Sequence, residues 1–376
     1  MKKSIYLIIA GMMLLLASCA KTEMAPERNA RTISFLTANY ATKVGISGTQ
    51  FPTSETFGVY AWTDGTTGPY FMDNEVVAFQ EDELWQTDTP YRWPIDRTVD
   101  FFCFYPAKMA EITVDKTKVS YAGYDVEANS EVDVMYADKA AGFADFPELV
   151  PGSVTGYDGV PAVFHHALSK LTVDVTLAYS HKQEADGTVT DWEVTVNSVK
   201  LSGIHMKGGC ELTLADSPEI GLVGWNKPEG NVWTPDASVM KEKSFLDKAT
   251  PIKAGETVNV VPEMFVLPQA LVAGGQKISL NITIKTKRNG ADFLNETLDV
   301  AADFLAPNAL QAWQMNHAIT YRISVNPTRS NGNGGNPTDP SNPVDPNNPN
   351  LSDAVIHFDP AVSGWEKLNV DATINL

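Results

Sequence analysis

The chain has 376 residues, 43% of them hydrophobic, which is ample for two domains with real cores. Asp and Glu number 46 against 28 Lys and Arg, a formal net charge of −18 that argues against nucleic acid or an anionic membrane surface as a partner. Beyond the first residues no apolar stretch approaches transmembrane length, so a covalent lipid is the expected membrane anchor.

Residues 1–18 read as a lipoprotein signal peptide. Lys2 and Lys3 precede an apolar run from Ile5 to Ala17 that is too short to span a bilayer, and Leu16-Ala17-Ser18-Cys19 resembles a bacterial lipobox. Cys19 is therefore the expected lipidation site. Cys103 and Cys210 remain, and their spacing suggests neither a metal site nor a redox pair. Cys103 is in phase with Val99, Phe101 and Tyr105, as a small buried hydrophobe would be; a Cys103–Cys210 disulfide is the alternative in an oxidising compartment.

Thr32–Thr37 reads as a first strand, with Arg31 before it and Lys43 after it. Both basic residues are candidate sites of proteolytic processing. Cleavage at either detaches the lipid from the body, and cleavage at Lys43 also frees the strand. From there nearly every periodic segment has the two-residue period of a strand. Leu171, Val173, Val175, Leu177 and Tyr179 alternate with polar or small residues, as do Ile278 to Ile284 and Ile319 to Val325. Gly, Pro, Asn and Asp punctuate the gaps, and Arg288-Asn289-Gly290 predicts a hairpin turn. Only short helical turns are expected, for instance over Ala306 to Trp313.

The pattern predicts an all-β chain of two sandwich domains in tandem. The Pro/Gly-rich stretch Pro147–Pro161 separates an aromatic-rich half, 19–158, from an aliphatic half, 159–326. Residues 327–353 are rich in Asn, Pro, Gly, Ser and Asp with almost no apolar residue, a composition that predicts a disordered linker. When extended it reaches roughly 80 Å at about 3.1 Å per residue. It ends in 354–376, where Leu368, Val370, Ala372, Ile374 and Leu376 alternate strictly with polar residues.

That terminal strand has two readings. It folds back as an edge strand of its own domain, or it is donated to another molecule by strand addition. Burying its four large apolar side chains contributes about 1.5–3 kcal/mol each. Ordering its nine residues costs about 1–2 kcal/mol apiece, so side chains alone do not hold it. It needs a groove with unpaired backbone.

Catalytic and metal-binding patterns are absent from the sequence: there is no G-x-S-x-G, H-E-x-x-H, C-x-x-C or phosphate-binding glycine loop. His165 and His166 are adjacent on a strand, where neighbours face opposite sides and do not chelate together, so a structural role is expected for His166. Asp339, Asp345 and Asp353 lack the spacing of a calcium loop. No metal and no cofactor is expected. Trp225 and Trp233, in a Gly/Pro-rich region, are candidates for an exposed glycan platform.

Several motifs occur in order: Phe57-Gly58-Val59-Tyr60-Ala61, Trp85 followed by Tyr91-Arg92-Trp93-Pro94, Val99 to Pro106, Phe164 to Leu171, Val199 to Ile204, Val266 to Gln269, and Trp313 to Val325. Together they resemble the fimbrillin family, the lipoprotein fimbrial subunits of Bacteroidetes. Asn316 stands where the family usually has glycine, and Lys43 where its processing usually follows arginine. The resemblance implies two transthyretin-like sandwiches and no enzymatic activity. It also implies an outer-membrane lipoprotein precursor that is trimmed by a surface protease and polymerises with other fimbrial subunits by donor-strand exchange. A host or bacterial surface receptor is the further partner if the chain is an adhesin. The competing reading is a monomeric surface lipoprotein that binds polysaccharide.

Overall fold

A computed structural model describes residues 32–39, 51–63, 70–81, 84–109, 111–145, 148–156, 159–213, 222–223, 233–236, 242–305, 310–327, 356–362 and 366–375. Among these residues all repetitive structure is β. The first half carries β1 (Phe35–Asn39), β2 (Thr56–Thr63), β3 (Met72–Phe79), β4 (Trp85–Thr87), β5 (Val99–Tyr105), β6 (Ile112–Val114), β7 (Lys118–Asp125), β8 (Met135–Ala137), β9 (Lys139–Ala144), β10 (Val154–Thr155) and β11 (Val160–His166). The second half carries β12 (Ser169–Leu177), β13 (His181–Gln183), β14 (Val189–Ser202), β15 (Lys207–Thr213), β16 (Leu222–Val223), β17 (Trp233–Pro235), β18 (Lys243–Ser244), β19 (Thr250–Ile252), β20 (Thr257–Val266), β21 (Gln269–Ala270), β22 (Lys277–Arg288), β23 (Ala291–Asp303), β24 (Ala312–Trp313) and β25 (His317–Asn326). The tail adds β26 (Ile356–Val362) and β27 (Glu366–Asn375).

In the first half the strands follow the order β5-β2-β3-β4-β1-β11-β8, and β8 pairs back to β5, so the sheet closes into a ring. Closure removes free edges and encloses a core dominated by aromatic side chains. Phe35 meets Phe57 and Phe101 edge-on at 5.8 and 5.7 Å, and Phe51 stacks on Phe164 at 5.0 Å. Strand β5 is buried on both faces. Val99, Phe101 and Cys103 fill the ring, while Phe102 and Phe104 join Tyr60 and Trp62 of β2 in a second core outside it.

That second core runs through the rest of the molecule. It passes the sheet β17-β15-β7-β6, whose strands come from both halves of the chain, and continues into the sheets β20-β12-β25-β27-β26 and β13-β14-β22-β23. The alternating residues Leu171 to Leu177, Ile278 to Ile284 and Ile319 to Val325 are buried in it, as their period predicts. Asn289 and Gly290 have φ of 49° and 82° and form the two-residue turn between β22 and β23. The turn there is the one that Asn-Gly favours.

The all-β expectation therefore holds, with two cores and with sheets that interlock rather than simply follow one another. Strand β11 pairs with β1 and β8, so the ring includes residues up to His166, where the chain crosses to β12. The Trp233 indole N–H donates to the Ala167 carbonyl at 2.7 Å and pins this crossover. The expected helical turn over Ala306–Trp313 gives way, in its described part, to β24 paired with β21. Cys103 and Cys210 are free thiols in different cores, and burial pushes both thiols up from their ordinary pKa.

Candidate functional site

The two terminal strands define the region of interest. Strand β1 is parallel to β11 over five register pairs, from Phe35↔Val160 to Asn39↔Phe164. Its other side is held sparsely, by one antiparallel pair with β4, Phe35↔Trp85, and a bridge from Thr32 to Arg92. The Ile33 N–H donates to the Tyr91 carbonyl at 2.9 Å, and the Val160 N–H donates to the Ser34 carbonyl at 2.8 Å. Ile33 and Phe35 are each 1% exposed, whereas Leu36, the second residue of β1, is 49% exposed. Burial of two such side chains contributes about 1.5–3 kcal/mol each.

Gly159 makes this docking possible. Its φ is 114°, and a Cβ built on it would lie 2.9 Å from Leu36 Cγ and 3.4 Å from the Phe35 carbonyl carbon. Only glycine tolerates that conformation and that approach. Removing β1 would open the ring between β4 and β11 and uncover Phe57 and Phe101.

The tail makes a second parallel docking. Strand β27 pairs with β25 over ten positions without a register shift, and β26 pairs antiparallel to β27 on the far side. The register sets Leu368, Val370, Ala372 and Ile374 opposite Ile319, Tyr321, Ile323 and Val325. All four of those β25 residues are buried. In this structure the described tail strands are thus paired with β25 of their own chain. The strand β25 lies in turn parallel to β12, so three neighbouring strands of this sheet share one direction.

Strand β25 itself is anchored from within. The Trp313 indole N–H donates to the Tyr321 hydroxyl at 2.9 Å, and that hydroxyl donates to the Phe304 carbonyl at 3.2 Å. Just before the strand, Asn316 has φ of 64°, a left-handed geometry that Asn tolerates, and its N–H donates to the Leu168 carbonyl at 3.0 Å.

Other residues singled out in the sequence fall elsewhere. Cys19, Arg31, Lys43, Trp225, Asp339, Asp345, Asp353 and Leu376 lie outside the described residues. Trp233 is 3% exposed and stacks on Tyr121 at 5.9 Å, so it is a core residue and not an exposed platform. Its loop is Gly/Pro-rich in sequence, yet the short strand β17 carries it into the sheet beside β15. His165 and His166 diverge as adjacent strand residues do. His165 Nε2 lies 3.1 Å from Asp138 Oδ1, and His166 Nδ1 lies 2.7 Å from Asp133 Oδ2. These pairs tie β11 to the segment around β8. The aspartates are distant in the chain and carry no motif, so these pairs are not legible in the sequence. The role of Gly159 was missed as well, although a glycine directly before a strand was the available signal.

The described residues hold no group of three or more His, Cys, Asp or Glu side chains placed to bind a metal, and no helix long and apolar enough to cross a membrane.

An all-β chain with terminal strands docked in this way is accompanied by a family match: the fimbrillin-like model covers residues 42–338, and the chain belongs to that family. Membership makes it a fimbrial or adhesion protein rather than an enzyme. No curated protein matches the chain. Solved structures similar to it include a putative cell adhesion protein from Bacteroides uniformis, 16% identical over 78% of this chain and 93% of that one, with a TM-score of 0.40. Another, from Parabacteroides distasonis, is 12% identical over 78% and 88% of the two chains, with a TM-score of 0.42. The fimbrial anchor protein Mfa2 from Porphyromonas gingivalis is 10% identical over 71% and 82%, with a TM-score of 0.26.

Proposed function

We propose that the protein is a subunit or adhesin of a cell-surface fimbria, exported as a lipoprotein through Cys19 and assembled with other fimbrial subunits by protease-triggered strand exchange. In this reading β1 is a removable plug and 354–376 is the strand that a neighbour donates. The observation that carries it is the shared polarity of the two dockings: β1 lies parallel to β11 as β27 lies parallel to β25. A tail that already docks beside a parallel partner keeps that relation when it enters the slot of β1. The tail must leave β25 before it is donated.

Cleavage after Arg31 frees the body from its lipid but keeps β1 in the chain, whereas cleavage after Lys43 takes β1 with it. Only the second opens the ring. The test is digestion of purified precursor with a Lys/Arg-specific protease, followed by gel analysis of wild type, Lys43→Gln, Arg31→Gln and a chain lacking 354–376. Polymer is expected from wild type and Arg31→Gln, with none from Lys43→Gln or the truncated chain. Fibres from the truncated chain would end the proposal.

A further inference from the structure

We propose that the β25 edge is a second acceptor, which takes the tail of another copy of this chain without any proteolysis. Asn326 pairs with Asn375 at one end of the β25–β27 ladder, and Ile356 pairs with Ile374 at that same end. Since β25, β27 and β26 are successive strands, the connection from Asn326 to Ile356 has to cross only two strand spacings, about 10 Å. A connection of about four to six residues does this in ordinary domains. The chain instead uses the whole of 327–355, which when extended spans roughly 90 Å at about 3.1 Å per residue.

Such excess lowers the advantage of a chain's own tail. The effective concentration of a tethered strand falls as about the −3/2 power of tether length, so relative to a five-residue connection the cis tail loses roughly tenfold. A second copy's tail offers β25 the same ten-pair register and the same four apolar positions opposite Ile319, Tyr321, Ile323 and Val325. Cis and trans docking therefore make identical contacts and differ only in tether. Reciprocal exchange closes a two-fold dimer, and one-way exchange gives a linear chain. Strand β1 stays in its ring throughout. The proposal is thus independent of the cleavage-dependent reading above.

The test uses the register pair Thr320↔Asn369, which lies between the apolar positions and within disulfide reach of neighbouring strands. Full chains carry Cys19→Ser, which leaves Cys103 and Cys210, both buried. One chain adds Thr320→Cys, a second adds Asn369→Cys, and a third carries both. The two single variants are mixed uncleaved at high concentration, incubated until the yield is constant, and oxidised. A covalent heterodimer is expected, rising with concentration, while the double variant closes on itself when dilute. Deleting 333–352 should favour the cis tail and cut heterodimer yield several-fold. Cis closure of the double variant with no heterodimer at any concentration overturns the proposal, and so does failure of both to cross-link, since the tail then does not use β25. Polymerisation after cleavage with no such heterodimer would leave the role of the β1 slot standing and remove only this one.

Discussion

The two ends of the chain dock by the same rule and differ in what depends on them. Strand β1 is an interior member of a closed ring, and Phe35, with Ile33 just before the strand, belongs to the core that holds Phe57, Phe101 and Trp85. Strand β27 extends an open sheet whose next member, β25, is already fixed by β12 and by the Trp313–Tyr321–Phe304 hydrogen bonds. A ring is either closed or open, whereas an open sheet can lose a strand and remain a sheet. The N-terminal strand therefore acts as a latch and the tail as an extension.

The largest expected effect breaks the latch from inside. Phe35→Ala removes a ring that is 1% exposed and touches Phe57 and Phe101 edge-on, so the intact chain should lose about 3–5 kcal/mol of stability in urea denaturation. Once β1 has been cleaved away, wild type and variant should be indistinguishable. A loss under about 1 kcal/mol would mean that β1 is an ornament on a ring stable without it. A second blow to the same latch is Gly159→Ala, which forces a Cβ to within 2.9 Å of Leu36 Cγ at a φ of 114°. The expected loss is about 1–3 kcal/mol, together with faster cutting at Lys43 in limited proteolysis.

The contrast between the ends was only half visible in the sequence. Local periodicity located β12, β22 and β25 because each has one buried face, and Asn289-Gly290 announced its own turn. Asn316 could be read as a glycine substitute because left-handed geometry is a property of one residue. Long-range pairing is different in kind. The phase of Val99, Phe101 and Cys103 suggested one buried face for β5, yet Phe102 and Phe104 are buried too, since the strand lies between two cores. Nothing in the composition of Pro147–Pro161 signals that β11, which begins at Val160, returns to the first sheet to meet β1. Trp233 shows the reverse error: a Gly/Pro-rich neighbourhood looked exposed, and a pairing with β15 buried it.

The extension end is tested by asking whether β25 needs its tail. Tyr321→Phe removes the hydrogen bonds of its hydroxyl to the Trp313 N–H and the Phe304 carbonyl, at a cost of about 1–2 kcal/mol. If β25 is fixed from the β12 side, the same loss should appear in the full chain and in a chain ending at Asp353. A cost that shrinks sharply in the truncated chain would show that the tail holds β25 in place.

The smallest effect separates the ends by pH. Tyr105 closes β5 at the ring, packs 5.5 Å from Phe51, and donates its hydroxyl to Glu55 at 3.0 Å. Burial, followed by that hydrogen bond and the charges of Glu55 and Asp133, pushes its pKa up from 10.0 to about 12. A folded-state pKa above the unfolded one favours the protonated form in the fold. The contribution of Tyr105 is therefore complete below pH 10 and is lost as pH rises from 10 to about 12. Comparing wild type with Tyr105→Phe between pH 8 and pH 12 should show a slightly shallower alkaline decline in the variant, with the two profiles parallel below pH 10. Because Tyr105 is partly exposed the difference is modest, and it should persist in a chain ending at Asp353, since the tail docks on the other sheet. A difference that disappears with the tail would mean that ring and tail are coupled, and that removing one end is felt at the other.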